Sequence, residues 1–293
     1  MPEQKSVLIT DLDNTLWDWV GMWAASFQAL LRELLALSGV PEAQLLKEIR
    51  QVHQRHGTSE YTFLVQEVPT LARGRSPDVV LAEYAPAIAA FRSARRDAMK
   101  VYPHVYSTLA TLKRQGVRLV AYTESGAFYT ANRLRKTGLD ELLDYVYSPA
   151  DHDLPVNMSP EQLRKYPRQH YELRHTVHRH TPPHEFKPNP RLLQLIIREI
   201  GATPQQCVYA GDSKAKDIRM AQEAGVADVW AAYGVAQFRE QYELLRQVSH
   251  WTDADIQREK ALMAAPESTP SHILESSIAE LMSMYEFEAF SGE

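Results

Sequence analysis

Val7-Leu8-Ile9-Thr10-Asp11-Leu12-Asp13-Asn14-Thr15-Leu16-Trp17 is the stretch whose reading decides the fold. Val7 to Thr10 are all apolar or β-branched, the pattern of a short strand buried on both faces in a parallel sheet covered by helices. In open α/β sheets ligands bind at the carboxyl ends of such strands, and that is where Asp11 falls. Asp13 follows after one residue, so in a loop leaving the strand both carboxylates can reach one site with Leu12 turned away. Asn14 and Thr15 supply turn chemistry. Alone, such a pair is also what a solvated loop looks like.

Three later stretches change that balance. Val117-Arg118-Leu119-Val120-Ala121-Tyr122-Thr123 reads as a second strand ending in a hydroxyl. Glu185-Phe186-Lys187-Pro188-Asn189-Pro190 offers a lysine at a rigid turn before a helix. Cys207-Val208-Tyr209-Ala210-Gly211-Asp212, followed by Ser213 to Asp217, is a third strand end with two more carboxylates. Each has a plain structural reading: Thr123 as a helix cap, Lys187 as a surface lysine, Asp212 and Asp217 as acids favoured at a helix start. Together, in this order, they point to one site.

At these residues the chain resembles the haloacid dehalogenase superfamily, whose motifs are an Asp-x-Asp-x-Thr strand end, a Thr or Ser strand end, a Lys, and a Gly-Asp with a further Asp. The resemblance spans roughly residues 5 to 234, and Pro270 to Leu281 is similar to the family's terminal strand and helix. It implies a Rossmann-like parallel sheet flanked by helices, an α/β fold with a smaller all-helical cap. Members with dehalogenase chemistry lack an acid at the position of Asp13, whereas phosphatases carry it. The resemblance therefore implies a phosphatase acting on a small phosphorylated metabolite through an aspartyl-phosphate. Asp11 would be the nucleophile and Asp13 the general acid and base. Thr123, the backbone N–H of Glu124 and Lys187 would hold the phosphoryl group. Mg²⁺ would be held by the carboxylates of Asp11 and Asp212 and the backbone carbonyl of Asp13, with Asp217 binding through water or orienting Lys187. Glu124-Ser125 departs from the small or amide residue often found after the family's hydroxyl.

The residue types agree with that chemistry. Two like charges about 4 Å apart repel by on the order of 4 kcal/mol at an effective dielectric near 20, so several acids converging on a phosphate need a cation. An oxygen-only ligand set suits Mg²⁺. Three alternatives stay open: a phosphomutase of the same superfamily, a receiver-like signalling module, and a non-catalytic phosphate-binding protein. A receiver is far shorter and gathers its acids before the hydroxyl and lysine, and the presence of Asp13 argues against mere binding.

At 293 residues with 44% hydrophobic content, the chain can bury one large α/β core and a smaller unit. A net charge of -5 gives no basis for nucleic-acid binding, and the basic run Arg92 to Lys100 reads as a solvated helix face. Cys207 is the one cysteine, which excludes an intrachain disulfide and suits a small buried core residue. No apolar run is long enough for a signal peptide or a membrane span, so a soluble, cytoplasmic protein is expected. Oligomeric state is not legible.

Residues 18 to 98 carry helical periodicity and no strand period: Val20 to Leu37, Glu42 to Arg55, an ambiguous Tyr61 to Glu67, and Pro77 to Lys100 kinked near Pro86. They are expected to form the helical cap, with Trp17, Asp18, Trp19, Gly21 and Trp23 at its junction; an oligomerisation domain is the alternative. Residues 1–17 and 99–293 are assigned to the α/β core, in which strands and helices alternate as in βαβ units. Within it, 151–186 breaks the rhythm with five prolines and six of the 11 histidines. His175, His178 and His180 are candidate metal ligands there, but no second cluster of acidic or thiol ligands accompanies them, and a loop or lid is the preferred reading.

Overall fold

The computed structural model describes residues 2–151, 166–183, 185–236, 238–255, 257 and 268–292. Two compact units emerge from the contacts. One is built from the chain up to Asp18, from Val101–Val235 and from the C-terminal stretch; the other from Trp19–Lys100 and a segment beginning at Ala236.

The first unit is an α/β layer. Its strands are β1 (Glu3–Lys5), β2 (Val7–Thr10), β3 (Arg118–Tyr122), β4 (Tyr145–Pro149), β5 (Val177–Thr181), β6 (Cys207–Gly211), β7 (Ala227–Ala231), β8 (His272–Leu274) and β9 (Tyr285–Phe287). Seven form a parallel sheet in the order β5-β4-β3-β2-β6-β7-β8, and β1 pairs with β9 in a small parallel ribbon. All four residues of β2 are buried, as a strand covered on both faces must be. One face packs Val7, Ile9, Val120, Tyr122, Cys207 and Tyr209 against the helix Pro190–Glu199.

Strand order reverses at β2: the chain runs outward through β3, β4 and β5, then returns to the other side of β2 as β6. The crevice at such a switch point is where open α/β sheets bind ligands. The register aligns Thr10 with Ala121 of β3 and Ala210 of β6, so Asp11, Thr123 and Asp212 leave neighbouring strands at one edge.

Part of the histidine-rich stretch differs from the expected loop or lid. Residues 152–165 and His184 lie outside the described residues, as does most of 256–267. Of what is described, Val177–Thr181 is not loop but the edge strand β5, paired in parallel with β4. Its sequence Val-His-Arg-His-Thr lacks an apolar period because only Thr181 is buried. Asp140 fixes its start: the carboxylate accepts the backbone N–H groups of Arg174 (2.9 Å), His175 (3.2 Å) and Thr176 (3.0 Å). Burial works against that charge, but these hydrogen bonds hold the Asp140 carboxyl below its usual range. His178 bonds Ser148 Oγ at 2.8 Å, and burial and His180 push its pKa down to about 4.

The second unit is helical: Trp19–Ser38, Glu42–His56, Leu64–Glu67, Pro69–Ala72, Pro77–Glu83, Ala85–Ala98 and Glu240–Val248. The kink expected near Pro86 is a break at Tyr84. The helix Glu240–Val248, assigned to the core on sequence, belongs here instead. Its Leu245 and Val248 are buried in one cluster with Val20, Leu34, Ile49 and Val52. His53 Nδ1 lies 2.6 Å from the Val248 carbonyl, and Gln54 Nε2 donates to the Trp251 carbonyl at 3.0 Å. Among the described residues, no helix is long and apolar enough to cross a membrane.

Candidate active site

The chain leaves β2 and turns at once. The Leu12 carbonyl accepts the N–H groups of Thr15 (3.2 Å) and Leu16 (2.8 Å), and Asn14 sits in the left-handed region with φ 59°. Asn tolerates that conformation better than most residues. Gly234, after β7, passes so close that a Cβ would lie 1.7 Å from the Asn14 carbonyl oxygen. Only glycine fits there.

Asp11, Asp212 and Asp217 converge at this edge, with a ligand oxygen from each within 4.8 Å of the others. Among the described residues, theirs is the one group of His, Cys, Asp or Glu side chains able to hold a metal. Burial raises the Asp11 pKa to about 7; Lys187 opposes that rise, while Asp217 and Asp13 add to it. Burial, Asp217 and Asp11 push Asp212 well above the usual carboxylate range. Asp11 and Asp217 are buried and Asp212 is half-buried, so ionising all three beside a single ammonium calls for further positive charge, and their hard oxygen donors suit a divalent cation.

Lys187 reaches this group from the turn before the helix Pro190–Glu199. Its Nζ donates to Asp11 Oδ1 at 2.6 Å and to Asp217 Oδ1 at 2.9 Å. Burial works against the ammonium, but Asp11 and Asp217 outweigh it and raise its pKa well above the ordinary value. The rings of Tyr122 and Tyr209 flank it, at 4.8 and 5.6 Å from Nζ. The helix behind it is capped by Asn189, whose Oδ1 accepts Leu192 N–H at 3.0 Å, with Pro190 opening the helix.

Asp217 is oriented on every side. Oδ1 accepts from Lys187 and from the Tyr209 hydroxyl (2.9 Å), and Oδ2 from Ser213 N–H (3.1 Å). It lies on a π-helical turn, Lys214–Ile218, folded tightly under the end of β6. A Cβ at Gly211 would stand 2.4 Å from Asp217 Cγ. Asp217 thus touches Lys187 directly while also belonging to the three-carboxylate group.

Asp13 sits apart from the three-carboxylate group. Its Oδ1 accepts from Trp17 Nε1 (2.7 Å) and Arg133 Nη1 (3.3 Å), its Oδ2 from Ser125 Oγ (2.5 Å). Thr123 is buried at the end of β3, with its N–H on the Tyr147 carbonyl and its Oγ1 accepting Ser125 N–H at 3.1 Å. Glu124 turns its carboxylate to Lys187 N–H (2.9 Å) and Lys216 Nζ (2.8 Å). Burial opposes the Glu124 charge, but Lys216 and Lys187 hold its pKa below the usual value. That pairing accounts for an acid where the resemblance leads one to expect a small or amide residue.

Sequence reasoning missed Arg133, Tyr209, Lys216 and the indole of Trp17 as parts of this site. For Arg133 a signal existed: on Ala127–Thr137 it falls inside the buried arc of Ala127, Thr130, Ala131 and Leu134. A charge in that arc needs a carboxylate partner. Cys207 is a buried core residue, its thiol pushed up to about 12 by burial.

A doubly wound parallel sheet with acids and a buried lysine at its switch point defines an α/β protein with a polar site where such sheets bind ligands. The match to a family model over residues 5–225 then identifies it: the chain belongs to the haloacid dehalogenase-like hydrolases. It is 24% identical over 231 residues to a glyceraldehyde 3-phosphate phosphatase of Methanopyrus kandleri, covering 77% of this chain and 82% of that protein. It is 26% identical over 231 residues to a phosphoglycolate phosphatase of Pseudomonas putida, covering 78% and 70% respectively. The crystal structure of a 2-haloacid dehalogenase from Pseudomonas syringae superposes with a TM-score of 0.52 at 18% identity, covering 97% of this chain and 98% of that one. That last likeness is one of fold.

Proposed function

We propose that the protein is a Mg²⁺-dependent phosphatase that hydrolyses a small phosphate monoester through an aspartyl-phosphate on Asp11. The observation that carries the reading is the 2.6 Å bond from buried Lys187 to Asp11, inside a cluster with Asp212 and Asp217. The phosphatase names of the sequence relatives support it.

In this reading Asp11 attacks phosphorus in line, the P–O bond to the alcohol breaks, and Asp13 gives its proton to the departing oxygen. Asp13 then takes a proton from water, which attacks phosphorus and releases phosphate and free Asp11. Lys187 neutralises charge on the phosphoryl oxygens and on Asp11, and the Thr123 hydroxyl and Glu124 N–H donate to a phosphoryl oxygen. Mg²⁺ would be held by the Asp11 and Asp212 carboxylates and the Asp13 carbonyl, supplying charge neutralisation to the transferring group. The helical unit serves as the cap that selects among substrates, consistent with its insertion directly after the first motif.

The test is a screen of phosphorylated metabolites with Mg²⁺, reading released phosphate, with chelator as control. Mg²⁺-dependent release from at least one small monoester is expected; full activity in excess chelator rejects the metal assignment.

A further inference from the structure

Arg133 carries a charge that the chemistry above does not use. It is fully buried on the helix Ala127–Thr137, where an apolar side chain of the same length could fill the space without desolvating a guanidinium. Its Nη1 reaches Asp13 Oδ1 at 3.3 Å and Ser125 Oγ at 3.2 Å, and Ser125 Oγ donates in turn to Asp13 Oδ2 at 2.5 Å. Ser125 is itself anchored at both ends: its N–H donates to Thr123 Oγ1 at 3.1 Å, and its carbonyl accepts from Thr130 Oγ1 at 3.1 Å. The Tyr129 ring lies 5.7 Å from the guanidinium carbon. With Trp17 Nε1 on Oδ1 at 2.7 Å, both oxygens of Asp13 are held by donors from three separate segments: the turn after β2, the loop after β3 and a core helix.

We propose that Arg133, acting together with Ser125, is the positioning residue for Asp13: it fixes the direction in which that carboxylate presents its oxygens for proton transfer. The inference rests on the reading of Asp13 as acid and base. A guanidinium suits the task because one planar group bonds the carboxylate and the serine together, which a point-charge ammonium on a flexible stem does less well. Arg133 touches no reacting atom in this scheme, so its removal should reproduce the consequences of disabling Asp13 rather than add to them.

The test uses the full-length protein with Mg²⁺, an aryl phosphate and an alkyl phosphate, in Arg133→Met, Arg133→Lys, Ser125→Ala, Asp13→Asn and the double variant Asp13→Asn/Arg133→Met. General acid-base assistance is typically worth about 10²- to 10⁴-fold, and misplacing the carboxylate should forfeit a part of it. We expect Arg133→Met to lower kcat on the alkyl ester about 10- to 100-fold, with KM little changed and a distinctly smaller loss in phosphorylation by the aryl ester. The aspartyl-phosphate should accumulate on the peptide containing Asp11 after acid quench. Arg133→Lys should regain part of the rate, and the double variant should be no slower than Asp13→Asn alone. Equal losses on both esters, or losses that multiply in the double variant, overturn the proposal. If Arg133→Met does not fold, Ser125→Ala decides by the same signature in milder form, and equal loss on both esters there overturns it too. If Asp13→Asn itself shows no difference between the esters, the reading of Asp13 has failed and the proposal falls with it.

Discussion

Asp11 and Asp13 are one residue apart, yet their side chains meet different surroundings, and substitution should separate them. Asp11 is bound by Lys187 within the acidic cluster, whereas Asp13 is held by Trp17, Ser125 and Arg133. Asp11→Asn is expected to abolish turnover of every ester with no phosphorylated peptide, because an amide oxygen is a poor nucleophile. Asp13→Asn should lose alkyl esters by about 10²- to 10⁴-fold, since an alkoxide needs a proton as it departs. Aryl esters should still phosphorylate Asp11, leaving an adduct visible by peptide mass spectrometry; an adduct on Asp13 in the Asp11 variant would reverse the roles. The cation can be checked without turnover. Mg²⁺ at 100 times its dissociation constant stabilises by about 2.7 kcal/mol, so it should raise the wild-type melting temperature and fail to do so in Asp212→Asn. The strand-end residues Asp11, Thr123 and Asp212 were legible because an apolar run followed by a polar group marks a strand's carboxyl end. Lys187 was legible from the prolines around it. Arg133 was not read, because its meaning lies in a carboxylate 120 residues away.

Among the elements, the helix Glu240–Val248 shows where periodicity stops informing. Apolar spacing marks a helix near it, but a buried stripe does not say which surface buries it, and here that surface lies nearly two hundred residues back in the chain. Strand β5 was missed for the opposite reason: an edge strand held by the backbone of β4 needs no apolar pattern. The contact between His53 and Val248 has a measurable pH dependence. Burial pushes the His53 pKa down to about 4, despite its bond to the Val248 carbonyl. The unfolded chain takes up this proton near pH 6.5 and the folded chain only near 4, so in that window the unfolded state binds more protons and stability falls with acidification. Between pH 7 and pH 4.5 this histidine should remove about 2 to 3 kcal/mol. Urea unfolding at the two pH values should show that loss in the wild type and a correspondingly flatter response in His53→Leu. An identical slope in both proteins would rule His53 out as the source.

For the molecule as a whole, the division into an α/β unit and a helical unit follows the strand and helix periods, but its boundary does not follow the chain. Excising Trp19–Lys100 alone leaves Leu245 and Val248 without the residues that cover them, and full burial of such side chains is worth about 1.5 to 3 kcal/mol each. A variant lacking only that segment is therefore expected to aggregate. Bridging the segment from Ala236 as well should give a monodisperse protein by light scattering, which should keep aryl phosphate hydrolysis while discriminating less among metabolites. Soluble behaviour of the first variant would show that the helix Glu240–Val248 does not depend on its partners.

The same boundary sets an order of events during synthesis. The helices Trp19–Ser38 and Glu42–His56 leave the ribosome ahead of strands β3 to β7, but Leu245 and Val248, which close their apolar cluster, emerge only after those strands. At about 5 to 20 residues per second, that interval is on the order of ten seconds or more, during which the early helices wait with part of their apolar surface uncovered. Nascent chains arrested with residue 235 just exposed should thus be open to protease within residues 19–100, and those arrested beyond residue 257 should be protected there.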